Sequence, residues 1–268
     1  MKLDLFFATH PIFTVSELKA ALGAAYKANS TLHNLLQYHQ KQGHILLIRR
    51  GLYAAIPREA QGYENLVDPF LLACKLSEDA VLAYQTALAF HGKGYTTANV
   101  FYYLTRTRKT KNFEFQGNTY QAVSVPLTLK KIDTGVIQAN RLGLAVSVTS
   151  LERTFVDILD RPYLCLSWEE IFRSVESIEY LHLDRVLEYT LLLRKRKTAA
   201  IVGFFLEMYQ EKWMVSSKQL ESLQKRCPKK PFYLNRELGG AQKLISKWNL
   251  IIPQAFLNKN WEEPHADI

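Results

Sequence analysis

The sequence predicts an α+β fold made of two regions. Its first 60 residues combine helical hydrophobic periodicity with one short hairpin. The remainder mixes strand-like stretches, rich in aromatic and β-branched residues, with leucine-rich helical stretches. Hydrophobic residues make up 48% of the 268-residue chain, which is enough for real cores. We therefore expect an N-terminal domain over residues 1–60 and a mixed α+β domain over residues 61–268 that becomes helical from about residue 165.

The N-terminal region contains three predicted helices. Residues 2–9 form the first. Thr14 and Glu17 have the T-x-x-E spacing of a capping box, in which each side chain accepts from the other residue's backbone N–H at a helix start. The third helix begins at Asn29 and ends at Gly43, a residue type that favours helix termination.

The third helix has two chemically different faces. Leu32, Leu35 and Leu36 recur at helical spacing and form an inward stripe. The opposite face is polar and has no carboxylate. Asn and Gln can each make two hydrogen bonds to adenine, and Lys can meet phosphate or guanine. The candidate DNA-contacting residues of this helix are Ser30, Thr31, His33, Asn34, Gln37 and Lys41.

A hairpin follows the helices. Residues 45–48 and 52–56 read as strands, and Arg49, Arg50 and Gly51 form the predicted turn. Paired arginines at a hairpin tip suit contact with phosphates or a minor groove. Helices followed by such a hairpin are typical of a winged helix-turn-helix, so we expect binding to double-stranded DNA, with Arg49 and Arg50 among the contacts. The alternative is that the same fold serves protein contacts alone.

The charge balance agrees with an anionic partner. The chain carries 34 Lys+Arg against 25 Asp+Glu, or +9. Residues 1–60 hold seven against three, or +4, which leaves 27 against 22, or +5, for the rest. Positive charge is therefore spread along the chain and favours a polyanionic or acidic partner.

Cysteine usage and hydropathy indicate a cytoplasmic location. Cys74, Cys165 and Cys227 are scattered, and no C-x-x-C motif exists, so we expect neither disulfides nor a zinc site. The start of the chain lacks the pattern of a signal peptide, and no window of about 18 apolar residues predicts a transmembrane helix.

The second region begins after a predicted linker at residues 57–67. Asp68 and Pro69 open its first helix, and Thr149 begins a later one through a second T-x-x-E pattern. A hairpin with Gly117 and Asn118 at its turn is expected. The other expected helices cover residues 81–94, 167–181, 183–193, 198–209 and 216–227, the other strands cover 98–108 and 142–148, and residues 258–268 form a loosely held tail.

One string in this region is similar to a known family motif. Residues 149–159, TSLERTFVDIL, resemble the S-x-E-R-T-hydrophobic-hydrophobic-D segment of the AbiEi family of antitoxins. The matching residues are Ser150, Glu152, Arg153, Thr154 and Asp157. Three further stretches agree in order, namely RRGLYAAIP at 49–57, LAYQTALAFHG at 82–92 and LDRVLEYTLLLRKRKTAAIVGFFLE at 183–207. The resemblance covers roughly residues 5–250.

The resemblance implies a type IV toxin–antitoxin system that acts in phage defence by abortive infection. In this family the winged domain binds inverted repeats in its own promoter and represses transcription. The C-terminal domain counteracts a nucleotidyltransferase-like toxin, without catalysis or a cofactor. A stand-alone DNA-binding regulator and a defence nuclease that uses the middle of the chain are the alternatives.

Two basic runs are candidates for contact with a partner or with phosphate. The first comprises Arg106, Arg108, Lys109 and Lys111, and the second comprises Arg194, Lys195, Arg196 and Lys197. Either run suits DNA phosphates or an acidic face of a toxin. The alternatives without a binding partner are a solvated loop for the first run and favourable cations at a helix C-terminus for the second.

The family motif also has a purely structural interpretation. Glu152 would complete a cap around Thr149, and Arg153 would pair with Asp157 four residues on. The alternative is a buried polar contact that orders a toxin-binding surface.

The sequence offers little support for an enzyme. There is no G-x-S-x-G elbow, and His33, His39 and His44 do not share a helical face. We therefore expect no catalytic residues and no metal. The oligomeric state stays open.

Overall fold

The structure is a computed structural model, and it confirms the α+β class, with the strands of its described residues arranged in three separate sheets. It describes residues 3–23, 29–57, 67–97, 99–107, 111–129, 133–165, 167–236 and 239–258. The predicted linker lies mostly, and the predicted tail almost wholly, outside the described residues.

The N-terminal unit consists of three helices and a small antiparallel sheet. Its elements are α1 (Leu3–Thr9), β1 (Ile12–Thr14), α2 (Val15–Leu22), α3 (Asn29–Lys41), β2 (Ile45–Arg49) and β3 (Leu52–Ala55). The strand order is β1-β3-β2. The predicted capping box is confirmed, because Thr14 Oγ1 accepts from the Glu17 N–H at 3.2 Å and Glu17 Oε2 accepts from the Thr14 N–H at 2.7 Å.

The inward stripe of α3 packs as predicted. Leu32 and Leu36 are buried in a cluster that includes Phe6 and Phe13 from the start of the chain. His39 is half-buried, with its ring 5.3 Å from that of Phe7, so it lies at the boundary of this cluster rather than on the exposed face of α3.

A second hydrophobic core joins the N-terminal sheet to the rest of the chain. Ile48, Leu52 and Ala54 are buried together with Leu71 of α4 (Pro69–Lys75) and Leu82 of a second, six-stranded sheet, called the main sheet below. The two predicted regions therefore share a core rather than pack independently.

The main sheet has six strands in the order β6-β7-β5-β4-β9-β8. The strands are β4 (Val81–Leu82), β5 (Val100–Thr105), β6 (Phe113–Phe115), β7 (Asn118–Ser124), β8 (Val136–Arg141) and β9 (Leu144–Thr149). It is mixed, since β5 runs parallel to β7 and β4 parallel to β9, whereas the other pairs are antiparallel. The predicted hairpin exists, but its turn lies one residue earlier, at Gln116 and Gly117.

The prediction of one helix over residues 81–94 is wrong. Residues 81–82 form β4, and the helix α5 covers only Gln85–Phe90. Between them Tyr84 adopts a φ of 56°, which a continuous helix does not allow.

The helical part of the chain follows the main sheet. It contains α6 (Leu151–Asp160), α7 (Trp168–Glu176), α8 (Leu183–Leu193), α9 (Arg196–Met208), α10 (Gln210–Trp213) and α11 (Ser217–Gln224). The predicted helical end is incomplete, because β10 (Phe232–Tyr233), β11 (Gln242–Ile245), β12 (Leu250–Pro253) and α12 (Gln254–Leu257) follow, with β12 between the other two strands.

The small C-terminal sheet is fastened to α9 by one aromatic side chain. Trp248 is fully buried, and its indole N–H donates to Glu207 Oε2 at 2.6 Å. Its ring lies against Gly203, where an added Cβ would stand 2.1 Å from a ring carbon. Only glycine leaves room for this contact.

The three cysteines are free, and burial raises the pKa of the Cys74 thiol to about 12.

Within the described ranges, no helix is both long and apolar enough to cross a membrane.

Candidate nucleic-acid interface

The outward face of α3 is exposed as predicted. Ser30, Thr31, His33, Asn34, Gln37 and Lys41 all have exposed side chains. The leucines on the opposite side are held in the core, so the polar face is directed to solvent by packing rather than by local preference. His33 Nε2 and Gln37 Nε2 are 3.0 Å apart, one helical turn from each other. The face therefore combines several hydrogen-bonding groups and one cation without an acid.

Sequence reasoning missed an aromatic residue beside this face. Tyr38 is 57% exposed and lies four residues after Asn34, one turn further along the helix. A tyrosine hydroxyl is one of the groups that contact phosphates in protein–DNA interfaces. Its helical position, away from the leucine stripe, was the available signal.

The two arginines of the hairpin have different environments. Arg50 is exposed at the tip, next to Gly51 with a φ of 82°. Arg49 belongs to β2, and its Nη2 donates to the Leu76 carbonyl oxygen at 2.9 Å. Its guanidinium also lies 5.8 Å from the centroid of the Phe113 ring. The prediction that Arg49 projects from the tip is wrong, because Leu76, directly after α4, and Phe113 of the main sheet are its partners.

The start of α2 is also tied to the second region. Glu17 Oε1 accepts from Lys75 Nζ at 2.5 Å, while its other oxygen completes the capping box. Burial raises the pKa of Glu17, but the hydrogen bonds from Lys75 and Thr14 outweigh it and bring the pKa below its ordinary value. This contact links the start of α2 to the end of α4.

Two residues of the 149–159 segment, Arg153 and Asp157, form a buried polar network. Arg153 Nε donates to Asp157 Oδ2 at 3.2 Å, and the two side chains are 3% and 2% exposed. Tyr189 of α8 donates to Asp157 Oδ1 at 2.7 Å, and Arg153 Nη1 donates to the Thr134 carbonyl at 3.1 Å. The predicted Arg153–Asp157 pair is confirmed within α6, and the hydrogen bond from Tyr189 to Asp157 joins α6 to α8.

The predicted cap around Thr149 is wrong. Ser150 is the N-cap of α6 and accepts from the Arg153 N–H at 3.3 Å. Thr149 instead pairs its hydroxyl with that of Thr154 at 2.7 Å, and Glu152 Oε1 accepts from the His182 N–H at 3.3 Å.

The first basic run is only partly described. Arg106 is exposed and pairs with Asp133, and Lys111 is exposed. Arg108 and Lys109 lie outside the described residues.

The second basic run spans the end of α8 and the start of α9. Arg194 is the C-cap of α8, and Lys195 Nζ lies 2.6 Å from Asp160 Oδ2. Arg196 donates to the Cys227 carbonyl at 3.4 Å, and Lys197 lies 5.6 Å from the Phe232 ring centroid. All four side chains are exposed.

In the part of the chain that the structure describes, no three His, Cys, Asp or Glu side chains are grouped so that they could hold a metal ion.

These features define an α+β protein with an exposed polar helix at one end and a mixed sheet and helices behind it. Comparison of folds finds a likeness to the crystal structure of the RV2827C protein from Mycobacterium tuberculosis. The TM-score is 0.62 at 14% identity, over 97% of this chain and 93% of that chain. At this identity the likeness shows a common fold alone. No protein-family model matches the chain, and no curated protein matches it in sequence.

Proposed function

We propose that the N-terminal unit is a winged helix-turn-helix and that it binds double-stranded DNA through the outward face of α3. The observation that carries this proposal is an exposed polar helix face without a carboxylate, backed by buried leucines. The order of elements and the antiparallel sheet that contains the hairpin support it, since a winged helix presents its last helix to a major groove and its hairpin to the backbone.

The resemblance at residues 149–159 extends the proposal to an antitoxin and transcriptional autorepressor that acts in the cytoplasm. The N-terminal unit would repress the operon promoter, and the second region would counteract a nucleotidyltransferase-like toxin. The charge of +5 after residue 60 and the exposed basic run at 194–197 support an acidic partner surface. No group in this scheme is catalytic.

Base-specific recognition of DNA by α3 is tested with the variants Asn34→Ala and Gln37→Ala, each made in the full-length chain. Each variant is expected to lose about 1–3 kcal/mol of binding free energy for the upstream DNA of its own gene, and little for unrelated DNA. Fluorescence anisotropy at fixed salt measures both. Gln224→Ala, at an exposed position of α11, is the matched control. Equal affinity of wild type and both variants for the upstream DNA would contradict the assignment of α3.

The hairpin is tested by the salt dependence of DNA binding. Arg50→Ala is expected to reduce the slope of log K against log salt by about 1, because one phosphate contact is lost. Arg49→Ala is expected to leave that slope unchanged, because its guanidinium is held by the Leu76 carbonyl. A slope that falls for Arg49→Ala and not for Arg50→Ala would reverse the assignment.

The antitoxin half is tested by co-expression with the product of the adjacent gene, scored by growth. The full-length chain is expected to restore growth, and the variant carrying both Asn34→Ala and Gln37→Ala is expected to restore it as well. If the full-length chain binds promoter DNA but restores no growth, the antitoxin proposal is contradicted. The interpretation as a stand-alone regulator would then stand. Point variants are used because removal of residues 1–60 would expose a shared core.

A further inference from the structure

We propose that a pocket between α8, α9 and α11 binds a small ligand through a triphosphate group. The pocket has a volume of about 430 Å³. Its lining includes four cationic side chains, Arg194, Lys195, Arg196 and Arg226. The proposal stands on this pocket alone and does not rest on the DNA-binding or antitoxin function.

The charge of the pocket points to an anionic ligand. None of its lining residues is acidic. Asp160 offsets one of the cations through its contact of 2.6 Å with Lys195. Among the described residues, no carboxylate forms an ion pair with Arg194, Arg196 or Arg226. Three exposed arginines therefore line one cavity without a carboxylate partner among the described residues, so an anion bound there would meet three cationic side chains.

The residue types favour phosphate over a simple halide. Arginine presents a planar set of donors that matches the oxygens of a phosphate in a bidentate manner. Arg194 and Arg196 flank the junction of α8 and α9, while Arg226 lies two residues after the end of α11, so donors come from different parts of the chain. A chain of linked phosphates can contact all three, which one phosphate cannot do as readily.

The size and the other lining groups favour a discrete ligand rather than a nucleic-acid track. A cavity of this volume falls within the range of small-molecule sites, about 300–1,000 Å³. Leu191 and Ala199 supply apolar lining, and Thr190 adds a hydroxyl whose own hydrogen goes to the Val186 carbonyl. The apolar part suits a group attached to the phosphates, such as a nucleoside.

The test is isothermal titration of the full-length protein with sodium triphosphate and, separately, with ATP. Both are expected to bind, and the variant carrying Arg196→Ala and Arg226→Ala is expected to bind each at least about tenfold more weakly. The matched control is Lys229→Ala with Lys230→Ala, which removes the same charge from exposed residues outside the pocket. That control is expected to change the affinity by no more than about twofold, because neither lysine lines the pocket and salt screens exposed charges.

Three results would overturn the proposal. The first is the absence of binding by both probes to the wild-type protein. The second is an equal loss of affinity in the pocket variant and the lysine control, which would indicate non-specific electrostatic attraction of the anionic probes to the basic protein. The third is a variant with weakened binding to a short duplex DNA and unchanged binding to both probes. Arg226→Gln, a single exposed change, gives the same comparison if the double variant fails to fold, as judged by circular dichroism.

Discussion

Replacing Asp157 by alanine tests how the buried network of Arg153, Asp157 and Tyr189 stabilises the fold. The carboxylate is 2% exposed and accepts hydrogen bonds from Arg153 and Tyr189. Its removal would leave the buried Arg153 guanidinium without a counter-charge and the Tyr189 hydroxyl without its acceptor. The remaining partner of Arg153, the Thr134 carbonyl, carries no full charge.

The expected cost is large. Removal of one member of a buried ion pair costs about 3–5 kcal/mol, because the other charge stays desolvated. That is a substantial share of the roughly 5–15 kcal/mol by which a domain is stable. In contrast, replacing both members by apolar residues of similar volume, as in Arg153→Met with Asp157→Leu, is expected to be close to neutral.

Urea denaturation followed by circular dichroism and tryptophan fluorescence measures both variants. Asp157→Ala is expected to lower the midpoint, with the denaturant slope unchanged. Glu221→Ala, at an exposed acid of α11, is the control and is expected to have little effect. A loss below about 1 kcal/mol for Asp157→Ala would refute the reasoning, since burial would then carry no desolvation cost. A double variant as unstable as Asp157→Ala would show that the network does more than neutralise two charges.

Two further predictions concern contacts between distant segments. Gly203→Ala is expected to lower the free energy of unfolding by about 1–3 kcal/mol, because the new methyl would overlap Trp248 and neither can move into solvent. Gly239→Ala, with nothing within 4 Å of the added methyl, is the control, and equal stability of the two variants would contradict the contact. Glu17 has a lowered pKa, so its stabilising effect is present above its ordinary value of 4.5 and is lost as the pH falls through the lower folded value. Thermal unfolding of Glu17→Gln is therefore expected to differ from wild type near pH 7 and to converge with it in acid, and a constant difference across that range would contradict the role of the pair with Lys75.

The features that the sequence predicted well depend on neighbouring residues. The capping box of Thr14 and Glu17 and the pair of Arg153 and Asp157 need only helical spacing, three or four residues apart. The helix after Asp68 begins as predicted because its N-cap and the following proline act locally. The exposed face of α3 followed from the leucine stripe for the same reason.

The features that were missed depend on residues far apart in the chain. Nothing near Arg49 indicates that its guanidinium will meet the Leu76 carbonyl, 27 positions away. Residues 81–82 form a strand because they pair with β5 and β9, and a short buried strand cannot be told from a helix by periodicity. The C-terminal sheet was missed because its strands are two to four residues long and belong together only through pairing.

The core that the N-terminal sheet shares with α4 and the main sheet affects how an operator would be recognised. A DNA-binding domain joined to the rest of its chain by a flexible linker could adjust to half-sites at several separations. Here Ile48 and Leu52 pack beside Leu71, and Arg49 and Glu17 are both held by the α4 segment. If the protein binds one inverted repeat as two copies, the shared core fixes the position of each α3 helix within its own copy. Inserting a few base pairs between the half-sites would then abolish simultaneous binding of both copies.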